Sequence, residues 1–280
     1  MDTHEPRIIE TPHGTRIVVG TQGKGPAVLF IPSLGRGVDD FDALALTVAA
    51  AGFQAIQPQP RGIGGSEGPP PVSLFDLAAD VAAVISALGL GRAHLVGHAF
   101  GNRVARATAA RFQPMAESVI LLAGGGEVPI PPEVSAAIRG CLAEGRKPDA
   151  ERLVDLRTAF FAKGADPSIW LRGWNSEAAA HQQAANRATP LGDWWRAGEA
   201  RVLLVQASED PVAPAGNAEA LRRDIGGRLS LVTLAHASHA ILPEQPAAVA
   251  SVVTAWLSGQ RDESALQAAA DAALVEPASA

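Results

Sequence analysis

The chain has 280 residues, 47% of them hydrophobic, and a formal net charge of −6. That size and apolar content support a large buried core in one or two domains, and the acidic balance argues against nucleic acid or an anionic membrane as the main partner. No apolar run approaches the ~20 residues of a membrane span. The N-terminal MDTHEPRIIE lacks the regions of a signal peptide, and the single Cys141 excludes an intrachain disulfide, so a cytoplasmic protein is expected.

In chain order, Arg7–Glu10 and Thr15–Gly20 flank a Pro12-His13-Gly14 turn and predict an opening hairpin. Ala27–Ile31 (AVLFI) is a continuous apolar run, as in a strand buried on both faces. Asp39 or Asp40 is placed to cap a helix running to about Ala51, and Phe53–Gln57 is a short strand. Ser73-x-x-Asp76 approximates a capping box. The helix after it carries Leu77, Val81, Val84 and Leu88 on one face and ends at Gly89. Arg92–Gly97 reads as a strand, Phe100–Phe112 as a helix, and Ser118–Ala123, Arg201–Ala207 and Leu229–Leu234 as strands. Pro246 opens a last helix with Val249, Val253 and Trp256 on one side. Such alternation predicts an α/β fold, a mostly parallel sheet with helices on both faces.

The alternation stops between residues 125 and 200, where helical pattern is broken repeatedly by proline. This segment is expected to form a helical lid inserted between the two core parts, 1–124 and 201–260. It holds Phe160, Phe161, Trp170, Trp174, Trp194 and Trp195, six of the chain's thirteen aromatics. They either pack the lid onto the core or line an apolar substrate pocket, the tryptophans being the candidates for substrate contact. The alanine-rich tail, 261–280, is either an outer helix or a frayed end.

Leu95 to Ala105, LVGHAFGNRVA, runs from an apolar strand into a helix through Gly97-His98-Ala99-Phe100-Gly101. This is the spacing of a G-x-S-x-G nucleophile elbow, with Ala99 at the nucleophile position. Asp210 follows the strand VLLVQ and is placed to orient a histidine, with Glu209 as the alternative. His239 follows LSLVTL and is the candidate general base, whereas His236 reads as structural or surface. After AVLFI, the glycine-containing turn Pro32-Ser33-Leu34-Gly35 offers backbone N–H groups. The Leu34 and Phe100 amides are the expected oxyanion pair.

Over roughly Thr15 to Ser258 these features resemble the α/β-hydrolase fold family, which shares the chain order of elbow, acid and histidine. Pro60 to Ser66, PRGIGGS, is similar to that family's D-x-R-G-x-G-x-S loop. The departures are Gln59 where aspartate is usual, Pro32-Ser33 in place of His-Gly, and Ala99 in place of the nucleophile. The resemblance implies hydrolysis of an ester, lactone, amide or C–C bond for a version that carries a nucleophile. A methyl group forms no acyl-enzyme, so covalent serine catalysis is excluded for Ala99.

Three readings stay open: a serine hydrolase silenced by alanine, an enzyme using His239 and Asp210 without a covalent intermediate, or a non-catalytic binder of a small ligand. The substrate expected under the enzymatic readings is a small, largely apolar carbonyl compound. Ser33 and Ser238 are poor substitutes because neither stands on the elbow, and Cys141 reads as packing. Arg36, Arg61 and Arg103 are expected near the pocket and read as structural ion pairs, with carboxylate binding as the alternative. No metal or organic cofactor is expected, since no ligand cluster or phosphate-binding fingerprint is visible.

Overall fold

In the computed structural model, which describes residues 3–275, the apolar runs assemble into one eight-stranded sheet. Met1, Asp2 and the last five residues of the 261–280 tail lie outside the described residues. The strands are β1 (Thr3–Glu10), β2 (Arg16–Gln22), β3 (Ala27–Ile31), β4 (Gln54–Pro58), β5 (Ala93–His98), β6 (Ala116–Leu122), β7 (Val202–Ala207) and β8 (Leu229–Leu234). Their order is β1-β2-β4-β3-β5-β6-β7-β8. β1 and β2 form the expected hairpin and β2 pairs antiparallel with β4, while every later pair is parallel.

The helices are α1 (Asp42–Ala50), α2 (Leu74–Ala87), α3 (Phe100–Arg111), α4 (Pro132–Cys141), α5 (Asp149–Phe160), α6 (Ser176–Ala188), α7 (Gly216–Ile225), α8 (Ile241–Glu244), α9 (Pro246–Leu257) and α10 (Glu263–Asp271). β3 shows why the strands read as unbroken apolar runs. Ala27, Leu29 and Ile31 enter a core shared with α2, α3 and α7, and Val28 and Phe30 enter a second core under α1, α9 and α10. A strand covered on both faces has no position left for a polar side chain.

Two local expectations need correction or completion. Neither Asp39 nor Asp40 caps α1, which starts after a 3-10 turn with Phe41 at its N-cap and no side-chain cap bond. Asp40 is taken by Arg36, whose Nε donates to Oδ2 at 2.8 Å. At α2 the capping box forms, with the Asp76 carboxylate accepting from the Ser73 N–H at 2.9 Å. The tail forms an outer helix, α10, whose Leu266 and Ala270 are buried against the second core. Among the described residues no helix is long and apolar enough to cross a membrane.

Candidate active site

The parallel strands carry their carboxyl ends to one edge of the sheet, and the site is built on the loops leaving that edge. At the first, β5 turns directly into α3 at Ala99, which stands at φ 50°, ψ −112°. A non-glycine residue held there costs on the order of 1–3 kcal/mol of backbone strain. The surroundings hold it in place. The Ala99 N–H donates to the Leu122 carbonyl at 3.0 Å, and the Asn102 side-chain amide donates to the Ala99 carbonyl. Asn102 is in turn held by the guanidinium of the fully buried Arg106. The turn closes only because positions 97 and 101 lack side chains: a Cβ on Gly97 would lie 2.4 Å from the Gly101 carbonyl oxygen.

The acid and the base meet across two loops. His239 Nδ1 lies 2.8 Å from Asp210 Oδ2. Asp210 is buried, and its Oδ1 accepts from the Val212 and Ala213 amides at 2.8 and 2.9 Å. A carboxylate so held accepts only, so in the neutral ring Nδ1 carries the proton and Nε2 the lone pair. Glu209 and His236 are exposed and take no part in this pair. The histidine ring stacks on Phe160 with centroids 5.6 Å apart, and Phe160 stacks on Trp174 at 5.7 Å. The end of α5 docks beside it, where the Phe160 carbonyl accepts from the Ala240 N–H at 2.8 Å. His98, next to Ala99, is fully buried, and its Nε2 lies 2.8 Å from the His239 carbonyl oxygen, donating to it.

Ala99 and His239 open onto one cavity of about 560 Å³. Its floor comes from the sheet-edge loops, including Ser33, Leu34, Phe100 and Val212, and its other wall comes from the 125–200 segment. Among the described residues no hydrogen bond takes the Leu34 or Phe100 amide. Phe160, Trp174, Ile130 and Ile138 supply apolar surface, and Ser135, Gln183 and Asn186 supply polar groups. Phe160 is the site residue that sequence reasoning left among the undifferentiated aromatics; only its contact with His239 distinguishes it.

The four tryptophans therefore separate. Trp174 lines the cavity. Trp170 stands behind it, packed edge-on against Trp174, Phe160 and His98. Trp194 and Trp195 do not line the cavity: they belong to the core beneath α3. Their rings lie 4.6 and 4.5 Å from the Arg106 guanidinium, and their burial there is explained by that cation–π contact. Arg36 and Arg61 form buried pairs with Asp40 and Asp80, as expected. Arg103 departs from that expectation: it lines the cavity and bonds to Asn186 Oδ1 at 2.8 Å rather than to a carboxylate. Ser33 lines the cavity, but no hydrogen bond joins its hydroxyl to His239 among the described residues. Ser238 spends its hydroxyl on the Glu209 carbonyl at 3.1 Å. Burial pushes the Cys141 thiol up to about 12, which leaves it protonated and unreactive at neutral pH.

Comparison with known proteins places the fold. Non-heme chloroperoxidase of Streptomyces lividans is 27% identical over 267 residues, covering 85% of this chain and 94% of that protein. Epoxide hydrolase 2 of Siraitia grosvenorii is 31% identical over 96 residues, which span 33% of this chain and only 30% of that protein. Among solved structures, an esterase from Exiguobacterium antarcticum superposes with a TM-score of 0.78 at 18% identity, over 91% of this chain and 100% of that one. Residues 28–252 match the alpha/beta hydrolase family, and the chain belongs to that family.

Proposed function

We propose that this chain is a hydrolase scaffold for an ester, lactone or related carbonyl bond of a small substrate, with its acyl-transfer step disabled by Ala99. The observation that carries the reading is the buried His239–Asp210 pair sharing one cavity with the strained elbow residue. A hydroxyl on the Ala99 Cβ would attack the substrate carbonyl, and His239 Nε2 would take its proton. Asp210 would stabilise the imidazolium, and the Leu34 and Phe100 amides would receive the oxyanion. As the tetrahedral intermediate collapses, His239 would give that proton to the departing alcohol, and water activated by the neutral His239 would then release the acyl group. With a methyl at position 99, the carbonyl compound would be bound and polarised but could not acylate the chain. Retention of the strained backbone at Ala99 supports this reading over a simple binder, because nothing in ligand binding requires an elbow.

The test is a panel of aryl esters and lactones run on this chain and on Ala99→Ser. Deleting a serine nucleophile costs about 10⁶ in turnover in a serine protease, with 10³–10⁴ over water left to binding and the oxyanion hole. Ala99→Ser is therefore expected to gain on the order of 10³-fold or more, to be labelled by a phosphonate, and to lose both properties on adding His239→Ala. An Ala99→Ser protein that stays at the parent rate on every ester and takes up no phosphonate overturns the proposal.

A second reading, in which His239 activates water or a substrate proton directly, is favoured by remodelling beyond Ala99. Gln59, which stands where the family usually has aspartate, is built into the loop through its Oε1, which accepts from the Val38 N–H at 3.2 Å. Under that reading the parent already turns over at a rate comparable to Ala99→Ser, and His239→Ala abolishes it.

A further inference from the structure

The cavity that holds Ala99 and His239 has a charge pattern opposite to that of the chain. The protein's formal net charge is −6, yet among the described residues the lining contains Arg103, Arg139 and Arg187 and no aspartate or glutamate. The Asp210 carboxylate is not their partner: its oxygens are taken by the His239 ring and by two backbone amides. Arg139 and Arg187 are exposed, on α4 and α6, and Arg103 is half-buried on α3, four residues after Ala99.

Arg103 is the cavity-lining arginine that is part buried and has little bonding of its own. A guanidinium has five N–H donors in a fixed fork. The one hydrogen bond of this side chain among the described residues is Nη1 to the neutral Asn186 Oδ1 at 2.8 Å. Its remaining support is the Trp194 ring, 5.6 Å away. Other buried arginines of the chain have more partners, although the Nε atoms of Arg106 and Arg152 are left without one. Arg36 and Arg61 each hold a carboxylate through Nε and Nη2. Arg106 lies between Trp194 and Trp195 and donates to Asn102 and to the Gly125 and Trp195 carbonyls. Burial pulls the Arg103 guanidinium below its ordinary value with no carboxylate to offset it. An anion in the cavity would supply that partner and complete the fork.

We propose that the substrate of this cavity is a carbonyl compound that also carries a carboxylate, and that Arg103 is the residue that receives the carboxylate. The inference rests on the hydrolase reading for the position of the reacting carbonyl, over Ala99 and between the Leu34 and Phe100 amides. At about 1.5 Å of rise per residue, Arg103 lies only about 6 Å along α3 from Ala99, so a short chain links the two ends of the ligand. Phe160 and Trp174 face its apolar middle. Arg139 and Arg187, being solvated, draw the anion in by their field and are not its fixed partners. Arginine here also decides specificity: a neutral analogue leaves a partly buried fork unpaired.

Because Ala99 blocks acyl transfer, the chain can be titrated without turnover. The probes are the monomethyl esters of succinate, glutarate and adipate and the matching dimethyl diesters, measured by calorimetry at low salt and in 0.5 M NaCl. At least one monoester is expected to bind tenfold or more tightly than its diester, with a smaller ratio in salt. Arg103→Gln should bring that ratio to near one, and Arg103→Lys, which keeps the charge but not the fork, should leave it intermediate. Should Arg103→Gln melt early by circular dichroism, the lysine variant carries the test alone. Arg139→Gln and Arg187→Gln, on exposed side chains, should lower the ratio about two- to threefold each and flatten its salt dependence. Equal binding of monoesters and diesters, no binding of any monoester, or a ratio unchanged in both Arg103 variants overturns the proposal. Hydrolysis by Ala99→Ser does not enter this readout. A monoester preference with an inert serine variant would remove the hydrolase reading and leave the anion site standing.

Discussion

His98 occupies the elbow between Gly97 and Ala99 with no exposed surface, and burial, reinforced by the neighbouring His239, brings its imidazole down to a pKa of about 4. With Nε2–H donating to the His239 carbonyl, Nδ1 has only a lone pair to leave without a partner, a far smaller loss than a buried charge. The unfolded chain protonates this histidine near pH 6.5 and the folded chain only near 4. Its contribution to stability is therefore complete above about 6.5 and is lost as pH falls from 6.5 towards 4, to a total of about 3 kcal/mol. His94, also lowered by burial, acts in the same sense. Asp80 and Glu244, raised by burial, act in the opposite sense: their contribution is complete below the ordinary carboxylate values and is lost as pH rises through their raised ones. Comparison with a variant isolates His98. His98→Gln keeps a donor for the His239 carbonyl but cannot take a proton there. Urea unfolding at pH 7, 5.5 and 4 is expected to show a clearly smaller loss for His98→Gln than for the parent; identical slopes would mean that His98 is already accessible to protons in the folded state.

At the scale of elements, the elbow works because α3 approaches the end of β3 at Gly101. A Cβ there would lie 2.0 Å from the Ile31 carbonyl oxygen and 2.6 Å from that of Pro32. Both belong to backbone that leads into the Leu34 turn, so neither can give way without moving the site. Gly101→Ala should cost at least the 1–3 kcal/mol typical of overpacking and, in the Ala99→Ser background, reduce any gained turnover. Gly227→Ala, with nothing within 4 Å of its Cβ, is the control that should leave both unchanged. A Gly101→Ala protein as stable as the control would refute the close approach. This part of the site was legible because its signal is local: two glycines four apart after an apolar run admit few other structures. The insert was not. Nothing in residues 125–200 tells whether Trp194 turns to the cavity or to Arg106, because its partner lies some ninety positions away on α3. The choice at Arg103 between ion pair and carboxylate binder stays open in the sequence for a related reason. A charge on a helix beside a pocket suggests an ion pair, and only the lining of the folded cavity reveals that no acid faces it.

For the whole molecule, strand–helix alternation was enough to read the parallel sheet, since each strand buried on both faces declares itself without knowledge of its neighbours. The sheet's edges were harder to read, because protection of an edge depends on what lies beside it in space. β1 breaks its register with β2 between His4 and Arg7, an irregularity of the kind that discourages edge pairing. β8 is covered by α10. Glu263 Oε1 accepts from the Leu231 N–H at 2.9 Å, and Gln267 both accepts from the Thr233 N–H and donates to its carbonyl at 2.9 Å. Two side chains of one helix thus stand in for a ninth strand, and the tail that had no evident function acquires one. Glu263→Ala with Gln267→Ala should free those backbone groups while keeping Leu266 and Ala270 in the core. Light scattering over a concentration series is expected to show self-association beyond the parent's, with a loss of about 1–2 kcal/mol in urea for the hydrogen bonds removed. Ending the chain at Gln260 should produce the same association with a larger loss, since Leu266 and Ala270 leave the core as well. An association state identical to the parent's in both variants would show that the β8 edge needs no cover, and that α10 serves packing alone.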